Sequence, residues 1–333
     1  MADIVIETVD PFDEVLLHQW WSTARTARAE RPYDLGLSWE YTQASFTRAN
    51  PEREFMLLAA FEGERMVGTA ALHLPLQDNT HLGYADLDVP GEHRRRGIGS
   101  SLLAELEDRV RRAGRTHLLG SATAPPGQSS AGMAFGAARG YRPGNREQQK
   151  VIDLHDCGPA LDALEAEVRG RLGGYTIVTW GEETPEEHVE GYCRLLSGFV
   201  AELPAHDLAL EDSEWTPERV RANEERARDI GRVIVVAGAV APDGTLAGVS
   251  DVRPSTPDLE KAFVGITIVG RQHRGHALGL AMKLATHREL RTTYPQCRIA
   301  ATNNAGSNVH MNAVNDRMGY RVVEDLLDLQ KVL

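Results

Sequence analysis

The chain has 333 residues, with 36 Lys and Arg against 48 Asp and Glu, a formal net charge of −12, and 3 cysteines. At roughly 150 residues per domain that length suggests two domains, and 42% hydrophobic with 25% charged residues excludes a disordered chain, a collagen-like repeat and a disulfide scaffold. The acidic balance argues against a nucleic-acid binder; it mildly favours a cationic or amine substrate and equally serves solubility.

Asp13 to Asn50 is a long leader, helical by pattern. Phe55 to Phe61 is an apolar run of strand type, Glu62-Gly63-Glu64 a tight turn, and Met66 to Leu74 the hairpin partner. Tyr84 to Val89 makes the next strand. Arg94-x-x-Gly97-x-Gly99 then opens a helix marked by Leu102, Leu103, Leu106 and Val110 and ended by Gly114. Thr116 to Ser121 is a short strand. After Pro125-Pro126-Gly127 a second helix leads to Gly140-Tyr141 and a last strand. Residues 157–175 read as a linker with a short helix, Leu161 to Val168, and flexible Gly170, Gly173 and Gly174.

The same order then recurs. Glu186 to Asp229 is a second helical leader. Val233 to Val240 and the stretch from Leu246 flank the turn Pro242-Asp243-Gly244. Phe263 to Val269 precedes Arg274-x-x-Ala277-x-Gly279 and a helix carrying Leu280, Leu284 and His287 before Pro295. Arg298 to Thr302, a helix and Gly319-Tyr320 follow. The register is constant: 248 − 68, 269 − 89, 274 − 94 and 279 − 99 all equal 180, and 319 − 140 is 179. The chain therefore contains one domain twice, with expected bounds 1–156, 157–175 for the linker, and 176–333.

Cys157, Cys193 and Cys297 lie far apart and form no C-x-x-C pair, so a reducing cytoplasm is expected, without a disulfide framework or a zinc site. No run of about 18 apolar residues occurs, and Met1 to Thr8 lacks the basic and apolar regions of a secretory leader, so neither a membrane partner nor export is expected.

The strand–loop–helix joint carries the chemistry. Small residues at the joint let the backbone approach a ligand closely. The first helix amides lack internal partners and sit at the positive end of the dipole, which suits a phosphate or pyrophosphate. The string is neither a Walker loop nor a G-x-G-x-x-G fingerprint, since Leu102 stands where the third glycine belongs.

A pattern V-x-x-x-x-R-x-x-G-x-G that opens a helix, with a later helix ending in Gly-Tyr, resembles the Gcn5-related N-acetyltransferases (GNAT). The tandem arrangement is similar to actinobacterial double-domain members. The resemblance implies an α/β fold of two GNAT-like domains, each a mixed, mostly antiparallel twisted sheet flanked by helices. It implies acetyl-CoA as cosubstrate and no metal. The pyrophosphate would lie on the amides of Arg94, Arg95, Arg96, Gly97, Ile98, Gly99 and Ser100, or of Arg274, Gly275, His276, Ala277, Leu278, Gly279 and Leu280. The pantetheine arm would pair with Leu87, Asp88 and Val89, or with Thr267, Ile268 and Val269. An amide near Val89 or Val269 would polarise the thioester carbonyl, and the amine would attack directly.

The family often places an Asn at the start of the later helix and, seven residues on, a Tyr that protonates the thiolate. Copy two has Asn308 and Asn315 there, with Asn303 and Asn304 nearby; copy one has Ser129 and Gly136. An amide is no practical acid. Copy two is thus the expected catalytic half and copy one a CoA-holding or structural half. Asp86 and Asp88 in copy one, two apart on a strand and so on one face, and Asp251, Glu202, Glu211 and His310 in copy two, are candidate bases. Two functions stay open: an acetyl-CoA-dependent N-acetyltransferase acting on the amine of a small molecule, and an acyl-CoA-binding pseudoenzyme, sensor or scaffold.

Overall fold

A computed structural model of the chain describes residues 3–199, 208–254 and 259–333. In copy one β1 (Ile4–Val9), α1 (Glu14–Arg28) and α2 (Trp39–Thr47) precede the hairpin β2 (Arg53–Glu62) and β3 (Arg65–Pro75). Then come β4 (Leu82–Asp88), α3 (Ile98–Arg112), β5 (His117–Ala124), α4 (Ala131–Ala137) and β6 (Arg142–Asp153). Helix α5 (Gly158–Arg169) occupies the expected linker. Copy two repeats the plan with β7 (Thr176–Trp180), α6 (Glu186–Ser197), α7 (Pro217–Asp229), β8 (Val235–Val240), β9 (Leu246–Pro254), β10 (Lys261–Val269), α8 (Leu278–Thr293), β11 (Ile299–Ala305), α9 (Val309–Met318) and β12 (Arg321–Val332). The opening strands β1 and β7 lacked a clear sequence pattern, because both are short and largely uncovered on one side.

All twelve strands join one sheet in the order β1-β2-β3-β4-β5-β12-β6-β11-β10-β9-β8-β7. The order is a palindrome in copy numbering, with its centre between β12 and β6. The last strand of each copy has crossed to the other. β12 pairs antiparallel with β5 from Asp325–Ala124 to Val332–His117, and β6 pairs with β11 from Ile299–Asp153 to Ala305–Glu147. The expected boundary at 156/157 follows the strand that crosses over.

Side-chain character explains the exchange. Leu327 and Leu329 of β12 are buried in the core of copy one beside Leu102, Leu106 and Tyr141. Ile152 and, just beyond β6, Leu154 are buried in that of copy two beside Leu284 and Tyr320. With the repeat offset of 179, the residues of β6 that correspond to Leu327 and Leu329 are Gln148 and Lys150. Without the exchange an amide and an ammonium would enter copy one's core, where burial without partners costs several kcal/mol or more. Gly136 completes the fit, since a Cβ there would stand 2.6 Å from the side chain of Leu329.

The leaders cover the opposite face of the sheet. Trp20 of α1 is buried and donates from its indole nitrogen to the Leu58 carbonyl at 2.9 Å, the packing role its apolar setting suggests. The leader of copy two also braces copy one: Arg219 of α7 holds Glu52 at 2.6 Å and Asp78 at 2.6 Å.

Candidate functional site

Each copy contains a gap between two parallel strands. β4 pairs with β5 only from Leu82–His117 to Tyr84–Leu119, and β10 with β11 only from Lys261–Ile299 to Phe263–Ala301. Beyond these pairs the strands part, and the backbone edges of Leu87 to Val89 and of Thr267 to Val269 have no parallel neighbour among the described residues. A single turn of 3-10 helix follows, Gly91–His93 or Arg271–His273, and then the loop.

The two loops trace the same path. Arg95 and Gly97 have φ of +65° and +89°; Gly275 and Ala277, 180 positions later, have +92° and +56°. Each loop thus keeps one glycine and one residue with a side chain in the left-handed region, and the glycine sits at a different step in each. A non-glycine residue there costs on the order of 1 kcal/mol, so both copies hold the turn against local preference. It delivers the chain into α3 and α8 with their first amides unpaired within the helix.

The repeated arginine braces this turn. Arg94 Nε donates to the Val89 carbonyl at 2.9 Å and Arg274 Nε to the Val269 carbonyl at 3.3 Å. Arg94 also reaches Glu30 at 3.0 Å, and Arg96 bonds Glu62. Of Arg94, Arg95 and Arg96, only Arg95 makes no ion pair among the described residues. His93 lies against Glu92 at 3.1 Å, and His273 Nδ1 is 2.8 Å from the Tyr175 hydroxyl, so both repeated histidines are engaged within the protein.

The helix starts differ in openness. In copy one the Phe135 ring would meet a Cβ on Gly99 at 3.3 Å; Arg139 stacks on that ring at 3.9 Å and bonds Ser100 Oγ. Helix α4 is thereby held close over the start of α3. In copy two a Cβ on Gly279 would first meet Thr267, at 3.8 Å, so among the described residues the start of α8 is the less crowded of the two.

The later helices also differ. Asn308 is the N-cap of α9, accepting from Met311 N at 3.2 Å. Asn315 is fully buried. It accepts from Lys283 Nζ at 2.6 Å and donates to Asn304 Oδ1 at 2.6 Å. Asn303 is the neighbour of Asn304 along the strand, so it faces the other side of the sheet, and its buried Oδ1 has no hydrogen-bond partner among the described residues. Where copy two has Asn315, copy one has Gly136 and the intruding Leu329, and Ser130 rather than Ser129 caps α4.

Among the acid–base candidates, Asp251 is 1% exposed. It accepts from Ile266 N at 2.9 Å across the bulge in β10 and meets Arg253 at 2.8 Å; a Cβ on Gly265 would strike its carboxylate at 2.4 Å. His310 lies exposed on the first turn of α9. Glu211 lies against copy one, its amide donating to Asn79 at 2.7 Å and its carboxylate 3.6 Å from His81. Glu202 is outside the described residues. In copy one Asp88 is held by Arg28 at 2.7 Å. Asp86 lies 3.3 Å from His73 with its side chain 55% exposed. Burial opposes its charge, but the His73 contact outweighs that and keeps the carboxyl below its ordinary range. The Asp86–His73 pair combines a charged carboxylate with access to the parted strands.

Residues 15–137 match the profile of the Acetyltransferase (GNAT) family. Over 99% of its length the chain superposes on a tandem GNAT protein from the clavulanic acid biosynthesis pathway, covering 98% of that chain with a TM-score of 0.82 and 26% identity. The chain is a tandem GNAT-fold protein. A GCN5-related N-acetyltransferase from Sphaerobacter thermophilus shares the fold at a TM-score of 0.66 and 16% identity, over 99% of this chain and 95% of that one. A putative acetyltransferase from Pyrococcus horikoshii does so at 0.58 and 14%, over 100% and 90%. No curated protein matches the sequence.

The tandem GNAT architecture accounts for the doubled loop, and the residues present suit an anionic, extended cosubstrate. A Cβ added to Gly97 or Gly275 would meet nothing within 4 Å, so the turns are bordered by open space. Sequence reasoning missed Lys283, which reads as an exposed residue of α8. Its counterpart 180 positions earlier is Leu103, a core residue of copy one, and that comparison could have exposed it. Phe135 and Arg139 left no such signal.

Proposed function

We propose that the chain transfers an acetyl group from acetyl-CoA to the amine of a small molecule, by direct attack in a ternary complex. The observation that carries this reading is the joint found twice, parted parallel strands and a left-handed pair in the loop, with an open helix start after it in copy two. In copy two the amides from Gly275 to Leu280 would hold the pyrophosphate, and the edge from Thr267 to Val269 would pair with the pantetheine arm. The amide near Val269 would orient the thioester carbonyl and stabilise the oxyanion. Copy two is the stronger candidate for turnover, because its helix start is open and its later helix keeps a polar interior. Copy one offers Arg94 to Ser100 and Leu87 to Val89 for a second CoA, with Asp86 and His73 as its base pair.

Two further parts of the reading follow from composition. The acidic surface suits an amine acceptor and not a nucleic acid. Three free cysteines and, among the described residues, no helix long and apolar enough to cross a membrane agree with a cytoplasmic enzyme.

Calorimetric titration with acetyl-CoA tests this directly. Binding at one or two sites per chain is expected. Gly279→Glu sets a carboxylate at the start of α8 and is expected to weaken the second site at least 100-fold, and Gly97→Glu the first. No binding by the unmodified chain sinks the transferase reading. Normal affinity in both variants shows that the phosphate loops lie elsewhere.

A further inference from the structure

Lys283 is a large side chain that is 1% exposed, and among the described residues it forms no ion pair. Its ammonium donates to Asn315 Oδ1 at 2.6 Å, and Asn315 Nδ2 donates to Asn304 Oδ1 at 2.6 Å. The chain of donors is directional. It begins at a cation and ends on the Asn304 amide, whose own Nδ2 donates to no group among the described residues. Asn304 stands on β11 three residues past the last pair with β10, beside the gap between the parted strands.

We infer that Lys283, Asn315 and Asn304 form a relay that places positive potential at the end of this gap and stabilises a leaving CoA thiolate in copy two. The inference rests on the acetyl-CoA reading and deepens it. When the amine nitrogen bonds to the thioester carbon and the C–S bond breaks, the electron pair leaves on sulfur. The relay offers that sulfur a hydrogen bond strengthened by a buried cation. The amine's lost proton and the proton that finally converts thiolate to thiol are exchanged with water. Lys283 does not reach the gap, so it is a positioning residue, and Asn304 is the group that meets the sulfur.

Three observations support this use over a structural one. A buried ammonium is costly without a counter-ion, and an apolar residue serves in its place in copy one, where the counterpart is Leu103. The copy-one position of Asn315 is Gly136, so the relay belongs to one copy only. The groups facing Lys283 offer it no anion: His287 on its own helix is fully buried and bonds the Tyr320 hydroxyl at 2.6 Å, the Tyr320 ring lies under the ammonium at 4.9 Å, and Lys150 of β6 is taken up by Asp316 at 3.3 Å. Burial first, and then the charge of Lys150, depress Lys283 to about 7. An anion beside the relay would return it to its charged form.

The test needs no acceptor. Thiolate absorbance of bound CoA is titrated between pH 6 and 9, with desulfo-CoA as blank and the Gly279→Glu variant as the copy-one background. The thiol at the Gly279-dependent site is expected to titrate at least one pH unit below free CoA, a tenfold gain in thiolate. Lys283→Met, and independently Asn315→Leu, are expected to return it to the free value while desulfo-CoA affinity stays within threefold. If the bound thiol titrates as free CoA does, or Lys283→Met keeps the shift, the relay has no such role and the acetyl-CoA reading survives. If no CoA binds at the Gly279-dependent site, the inference and the assignment to copy two fall together.

Discussion

A fragment ending at Asp156 is expected not to fold as a soluble monomer. It retains β6 but lacks β12, so β5 loses its partner along Asp325 to Val332, and β6 loses both of its neighbours. The core of copy one also loses Leu327 and Leu329. Full burial of each is worth about 2 to 3 kcal/mol, a large part of the 5 to 15 kcal/mol typical of a domain. β6 cannot repair this by moving beside β5, because Gln148 and Lys150 would take the places of the two leucines. The fragment is expected to bind a hydrophobic dye and melt without a cooperative transition. A synthetic peptide spanning 321–333 is expected to restore part of that transition. A monomeric fragment with a sharp melt would show that the exchange is not needed for folding.

The second large effect comes from Lys283. Its ordinary pKa is 10.5, and burial with the nearby charge of Lys150 lowers it to about 7. The unfolded chain therefore holds a proton there that the folded chain has lost between these values, so stability must rise with pH from about 7 to 10.5 and fall back as pH drops through 7. The difference corresponds to a destabilisation of the order of 5 kcal/mol below pH 7. Lys283→Met removes it. The variant leaves Asn315 Oδ1 without its donor, at about 1 to 3 kcal/mol, and still gains. Its melting temperature at pH 7 is expected to exceed that of the unmodified chain by several degrees, and the gap should close by pH 10. Equal pH dependence in the two proteins would show that the lysine is not buried as a titrating group. His287 acts at the acid end. Burial, and then the charge of Lys283, lower it to about 3. The stability linked to this lowering is present above pH 6.5 and is lost as pH falls from there through about 3.

Much of the fold was legible because two copies report on one another. The offset of 180 located both loops, and the patterns at Phe55 to Phe61 and Phe263 to Val269 carry strands in the structure. The strand exchange was not legible from local pattern. A strand is written by its alternation and its turn, and neither says which neighbour it will pair with. The contrast between Leu327 and Leu329 in β12 and Gln148 and Lys150 in β6 held the information, but only once the two strands are set beside β5. The acid–base groups were less legible still. Asp251 reads as an available carboxylate, and its commitment to the Ile266 amide depends on a bulge in β10 that no turn residue announces. Lys283 falls among Leu280, Leu284 and His287 on a buried stripe, where a lysine is naturally assigned to the surface.

The palindromic sheet also sets a timetable for synthesis. Copy one cannot finish its own sheet when its last residue leaves the ribosome, because the strand it needs, β12, closes copy two. The strand it makes instead has no place to go until β11 exists. Between residue 156 and residue 332, 176 residues must be added, about 9 to 35 s at 5 to 20 residues per second. Throughout that interval β5 offers an unpaired edge, the kind of surface that chaperones shield and aggregates extend. A product that stops early leaves both halves open to proteolysis, so the two copies survive or are cleared as one unit.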